Sequence, residues 1–199
     1  MKVLIAMPCA REIKPETFEC CVGLRVPRDT EWMVIKGANL YEARNRASFY
    51  AIDNGFTHLM WMDDDMTFNP DTLHNLILDD KEIVSAMAFR RTYPYCPVHM
   101  RVLNEKQYAE LTEYPDELFT VEGVGLGVAL TKVSALKTIL ETEGELFLPI
   151  RGLSEDYSFS IRARKHFDLW VDPKIKTGHI APMIIDERWY KRLSERKSR

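Results

Sequence analysis

Three consecutive aspartates, Asp63, Asp64 and Asp65, directly follow the apolar run Leu59-Met60-Trp61-Met62. Neighbouring carboxylates repel: at ~6 Å and an effective dielectric of ~20, each pair costs roughly 3 kcal/mol. A solvated acidic loop relieves that repulsion through hydration. A hard divalent cation relieves it through oxygen ligands, and magnesium or manganese suits such a set. At the end of a buried strand the second reading gains weight, because ligands bind at the carboxyl edge of a parallel sheet. Such ions use one or two carboxylates and leave positions for phosphate, so the run reads as a site for a cation and a phosphate-bearing substrate.

Four further groups could share that chemistry. Glu155 and Asp156 follow Ser154 at a helix start. Acids there are stabilised by the helix dipole, and a carboxylate so placed also suits a general base acting on a hydroxyl. His179 follows Gly178 at the end of an extended stretch. It is either structural or, as neutral imidazole, a nitrogen ligand beside Asp65. Arg44 falls on one helical face with Leu40, Ala43, Ala47 and Ala51. It either snorkels to the edge of that stripe or reaches a diphosphate or base, where a planar five-donor group is favoured. Arg90-Arg91 ends another apolar run and carries the same two readings. The glycines of Gly123-Val124-Gly125-Leu126-Gly127 lack dinucleotide-fingerprint spacing. They allow a backbone to approach a ligand closely, with Gly125 at the centre.

The elements that must position these groups are legible from periodicity. Val3 to Met7 is an unbroken apolar run stopped by Pro8, as in a strand covered on both faces. A helix is expected from Pro15 to about Val22, a strand over Trp32–Ile35, and a helix up to Asn54 with Asn39 and Glu42 as a capping box. A third strand spans His58–Met62, a helix opens at Asn69-Pro70, and Glu82–Phe89 is a fourth strand. Residues 90–120 read as loops and short edge strands. A glycine-broken strand over Val124–Leu130 leads into a helix near Lys132–Leu140. Ser154 caps a helix to about His166, and Leu169–Val171 and Lys174–Ile180 are extended. Alternating strands and helices indicate an α/β fold with a largely parallel sheet.

The whole chain bounds the class. Its 199 residues favour one domain, and 46% hydrophobic with 29% charged residues excludes disorder. A net charge of -3 argues against nucleic-acid binding by the whole surface. Cys9, Cys20, Cys21 and Cys96 show no C-x-x-C spacing and read as reduced thiols. The apolar start is too short for a signal sequence or a membrane span. Residues 183–199 form a basic tail, from Arg188 onward strongly so; it is either a solvated end or a contact for an anionic partner.

The order of the motifs is more specific than any one of them. LYEARNRASFYAIDNGFTHLMWMDDDM, AFRR, VEGVGLGVALTK, SEDYSFSIRARK and VDPKIKTGHI together resemble the glycosyltransferase family 2 pattern on the GT-A fold, over residues 1–181. The resemblance implies a single Rossmann-like, mostly parallel sheet with flanking helices. It implies a domain over 1–182, with 1–90 the nucleotide-binding half and 91–182 the acceptor-side half. It implies a nucleotide-diphosphate sugar donor, with a UDP-sugar leading, and Mn2+ or Mg2+. By the D-x-D pattern Asp63 contacts the nucleotide ribose or metal shell and Asp65 binds the metal. His179 completes the metal shell, and Asp156 is the base of an inverting reaction, supported by Glu155. Pro8 lies near the nucleobase; Arg44, Asp64, Arg90 and Gly125 are further donor-side candidates, Asp64 without a defined task. The short chain leaves the acceptor open among glycan, protein, small molecule and nucleic acid, and suggests a cytoplasmic bacterial or viral enzyme. A sugar-phosphate nucleotidyltransferase is the rival, although Pro8-Cys9-Ala10-Arg11 lacks the glycine-rich loop such enzymes use for triphosphate. A non-catalytic nucleotide-sugar binding module is the other.

Overall fold

The computed structural model describes residues 1–93, 95–104 and 107–181. In chain order its elements are β1 (Lys2–Cys9), α1 (Pro15–Gly23), β2 (Asp29–Lys36), α2 (Leu40–Asp53), β3 (His58–Met62), β4 (Met66–Phe68), α3 (Thr72–Leu78), β5 (Ile83–Met87), β6 (Met100–Asn104), β7 (Gln107–Glu110), β8 (Phe119–Val121), β9 (Val128–Lys132), α4 (Val133–Glu143), α5 (Glu155–Ala163) and β10 (Leu169–His179). The basic tail over 183–199 lies outside the described residues.

The main sheet runs β2-β1-β3-β9-β5-β10-β4, with β8 paired to β10. Pairs β1–β2, β1–β3 and β5–β10 are parallel. The glycine-broken strand, β9, enters between β3 and β5 and is antiparallel to both. Apolar periodicity reports burial and is blind to strand direction, so this insertion is a tertiary outcome.

Both sheet faces are covered, which is why β1 and β3 are apolar throughout. Alternation along β1 sends Leu4 and Ala6 to one core and Val3, Ile5 and Met7 to the other. Likewise Leu59 and Trp61 of β3 face the first, Met60 and Met62 the second. Helices α2, α4 and α5 cover the first face, α1 and α3 the second. Ala43, Ala47 and Ala51 are fully buried, so their small side chains let α2 lie close to the sheet. Leu40 departs from the expected stripe and is exposed.

Several local expectations change. Asn39 is the N-cap of α2 but its side chain makes no capping hydrogen bond, so the capping box is not formed. Ser154 does cap α5, accepting from the Tyr157 N–H. The two extended pieces near the end are one strand, β10, with a register shift between Asp172 and Lys176. The three-residue β4 is too short to show a period in sequence, yet it pairs antiparallel with the end of β10. That small ladder builds the site.

Candidate active site

Parallel β1 and β3 end at one edge of the sheet, where antiparallel β9 begins. Asp63 leaves β3 there, its N–H donating to the Gly127 carbonyl at 2.8 Å. A Cβ on Gly127 would stand 3.3 Å from Asp63 Oδ2. Gly127 is therefore the glycine of the run that approaches the acidic loop. Gly125 is buried elsewhere, where a Cβ would stand 2.4 Å from Val98 Cγ2. Its close neighbour is protein rather than a ligand surface, a correction to its donor-side assignment.

β4 follows Asp65 at once, and His179 pairs with Met66 across the β4–β10 ladder. A Cβ on Gly178 would meet Thr67 Oγ1 at 2.5 Å, so a glycine is needed for the strands to close. The Ile180 N–H then donates to the Asp65 carbonyl at 2.8 Å. The result places His179 Nε2 at 3.3 Å from Asp65 Oδ1, with the Arg91 guanidinium ion-paired to Asp65 Oδ2. His179 and Arg91 hold the Asp65 carboxyl below its ordinary range against the upward push of burial. Asp65 in turn raises His179, which burial opposes.

A cavity of about 300 Å³ opens at this edge, lined by Pro8, Cys9, Ala10, Ala38, Leu40, Asp63, Asp64, Asp65, Arg91 and His179. Pro8, the three aspartates and His179 thus share it as expected. Asp64 Oδ2 accepts the Ala10 N–H at 3.2 Å and its carbonyl accepts the Lys14 N–H at 2.9 Å, so it ties the β1–α1 turn to the acidic loop. Arg91 lines the cavity; Arg90 does not, and its guanidinium lies beside the Tyr157 phenol. Arg91 was legible only as the second member of the Arg90-Arg91 pair.

Arg44 is fully buried. Its Nη2 pairs with Asp63 Oδ1 at 3.1 Å, and its Nε with Glu155 Oε1 at 3.3 Å and Asp156 Oδ1 at 3.4 Å. The guanidinium lies 5.4 Å from the Trp61 ring, which packs edge-on to Phe147, itself stacked on Phe159. Arg44 therefore neither snorkels to the surface nor lines the cavity: its donors face three carboxylates and an aromatic wall. This corrects its donor-contact assignment. Burial works against its charge, but Asp63, Asp156 and Glu155 outweigh it and raise its pKa.

Three carboxylates around one guanidinium leave an excess of negative charge. Burial pushes Asp156 well above the ordinary carboxylate range; Arg44 opposes this and Glu155 adds to it. Burial also raises Asp63, against Arg44. Glu155 is held low despite burial by Asp156 and Arg44. Asp156 is thus the member of the pair with the higher proton affinity. A carboxylate of raised proton affinity accepts a proton in the transition state more effectively.

His99 escaped notice in the sequence because a single histidine among loop residues carries no pattern. It is fully buried, with Nε2 at 3.2 Å from the Ala86 carbonyl and Nδ1 accepting the Gly125 N–H at 3.4 Å. At the next residue, the Leu126 N–H donates to Asp156 Oδ2 at 3.2 Å. His99 therefore fixes the loop that orients Asp156.

The donor set fits a divalent cation. His179 Nδ1 lies 2.9 Å from the Phe89 carbonyl, which can only accept, so Nδ1 carries the proton. Nε2 then faces Asp65 Oδ1 as a second donor atom, the arrangement of a metal-binding imidazole oriented through its other nitrogen. Among the described residues no group of three or more His, Cys, Asp or Glu is placed to hold a metal ion, so the protein's share of such a site would be the Asp65–His179 pair. Two protein donors with room for phosphate is how magnesium-type sites are used.

No protein-family model matches the chain, and no curated protein matches it in sequence. Solved structures do match in three dimensions. The crystal structure of A197 from STIV superposes with a TM-score of 0.64 at 16% identity, over 92% of this chain and 87% of that one. The crystal structure of GalNAc-T7 with UDP, GalNAc and Mn2+ superposes with a TM-score of 0.62 at 12% identity, over 92% of this chain. The chain has a GT-A-like fold. It spans 44% of the GalNAc-T7 chain, and at 12% identity the likeness concerns the fold alone. Among the described residues no helix is long and apolar enough to cross a membrane.

Proposed function

We propose that this protein is a metal-dependent glycosyltransferase that moves a sugar from a nucleotide-diphosphate sugar, with UDP as the leading nucleotide, to an acceptor hydroxyl. The observation that carries the reading is the Asp65–His179 pair in a cavity that also holds Asp63, which Arg44 bridges to Asp156. In a GT-A-like fold this joins a cation and diphosphate site to a candidate base. Residues 1–90 supply most of the donor cavity; His179 enters it from the 91–182 half.

Asp65 and His179 would hold the cation, with Asp63 supporting from the same cavity. A Mn2+ or Mg2+ ion held by these residues would supply positive charge for the departing diphosphate. Pro8 and Ala38 wall the cavity beside the acidic loop, where the nucleoside is expected. Asp156 takes the acceptor proton as the hydroxyl oxygen attacks the anomeric carbon, with inversion. Leu126 N–H and Arg44 hold its carboxyl in place, and Glu155 raises its proton affinity.

The test is product analysis with a panel of nucleotide sugars and Mn2+. Release of free nucleoside diphosphate with an inverted anomeric centre by NMR is the expected result. Pyrophosphate as the product would replace this reading with nucleotidyl transfer. Asp156→Asn should lower kcat by about 10²–10⁴ while donor affinity holds; full activity in that variant would remove Asp156 as the base.

A further inference from the structure

Two of the residues lining the cavity, Arg91 and His179, can carry positive charge; three carry carboxylates. Asp63 already pairs with Arg44. His179 takes one oxygen of Asp65 and Arg91 the other. The Arg91 side chain is 53% exposed against 10% for that of Asp65, so the guanidinium sits on the solvent side of a sheltered carboxylate. Its backbone is pinned at the neck of the loop: the Arg90 N–H donates to the Cys96 carbonyl at 2.9 Å, and the Tyr95 N–H to the Thr92 carbonyl at 2.9 Å. The exposed guanidinium thus lies outside the hydrogen bonds that hold this stretch of backbone.

We propose that Arg91 and a divalent cation compete for the charge of the Asp65 carboxylate, and that the displaced guanidinium pairs with the diphosphate of the incoming donor. This rests on the glycosyl-transfer reading and adds a residue to it. A cation held by Asp65 and His179 would draw charge from the carboxylate and weaken its pair with Arg91. A diphosphate arriving in a cavity with three aspartates needs positive charge from the protein as well as from the metal. A planar guanidinium at the rim meets phosphate oxygens in bidentate fashion. Arg91 thus couples the order of loading: it resists bare metal and rewards metal that arrives with diphosphate.

The experiment is calorimetry on the full chain with two probes, Mn2+ alone and UDP at saturating Mn2+. Arg91→Gln should bind Mn2+ roughly five-fold more tightly, as loss of a half-exposed ion pair allows. The same variant should bind UDP about ten-fold more weakly, as loss of a charge-assisted phosphate contact requires. Arg91→Lys should recover part of the UDP affinity. Parallel losses for both probes would make Arg91 a mere support of Asp65 and overturn the proposal. Unchanged affinities would overturn it too. A wild type that takes both probes without the crossed response in the variant refutes this inference alone. A wild type that takes neither refutes the glycosyl-transfer reading with it.

Discussion

Arg44 and Arg91 each pair with an aspartate of one acidic loop, yet they occupy opposite environments. Arg44 is sealed behind Trp61 and Phe147 and faces three carboxylates. Arg91 stands half in solvent against one. A buried ion group has no alternative partners, so it fixes geometry; a rim pair can exchange with water, metal or phosphate. The same loop therefore meets a rigid floor, the buried Arg44, and a negotiable rim, the exposed Arg91. That division suits a site in which a base must stay put while a cation and a diphosphate come and go.

Removing the floor should cost most. Arg44→Met leaves Asp63, Glu155 and Asp156 buried against one another, and we expect about 3–5 kcal/mol of destabilisation, read from the urea unfolding midpoint. A loss below about 1 kcal/mol would mean that the carboxylates protonate and the hub is dispensable.

The loop that holds Asp156 should show a pH signature of its own. Burial lowers the His99 pKa to about 4, against ~6.5 for an unfolded chain. The folded state then binds fewer protons than the unfolded one between these values, so stability falls as pH drops through that window, by about 3 kcal/mol in all. Asp79, raised to about 6 by burial and Asp172, titrates with the opposite sign there. The decisive quantity is the difference between wild type and His99→Gln, which should flatten this contribution in chemical denaturation at pH 4.5 and pH 7. Identical pH profiles would show that His99 is accessible to solvent.

The rim is easier to open. Gly178→Ala drives a Cβ into Thr67 Oγ1 and should cost about 1–3 kcal/mol, while separating His179 from Asp65. Calorimetry with Mn2+ should show affinity lost along with stability; retained Mn2+ affinity would mean that His179 is no ligand. Smallest of all, Arg91→Gln should change the unfolding free energy by less than about 1 kcal/mol, a thermal-shift measurement. A larger loss would place Arg91 with Arg44 as a structural clamp and erase the contrast between floor and rim.

Much of this was open to a reading of the chain. Unbroken apolar runs at β1 and β3 announce strands covered on both faces, because only that environment removes the need for polar alternation. The acidic run, Ser154 with its acids, and Gly-His near the end keep their places. β4 was not legible, since three residues carry no period. Arg44 was misplaced, since helical spacing says that a residue faces inward but not what waits there. Nor could it show that the second glycine of the run packs on Val98 and the third on Asp63.

The sequence by itself determined the element types, the strand-end position of the aspartates and the candidate chemistry, because these depend on local pattern and on residue charge. Only the tertiary structure decided which carboxylate meets which cation. Asp65 and His179 are 114 positions apart and meet because β4 pairs with β10; Arg44 and Asp156 meet because α2 and α5 cover the same sheet face. Proton affinities follow from those long-range juxtapositions through burial and Coulomb interaction. Asp156 accordingly gained its raised proton affinity only once the fold buried it and brought Glu155 and Asp63 near, against the opposing charge of Arg44.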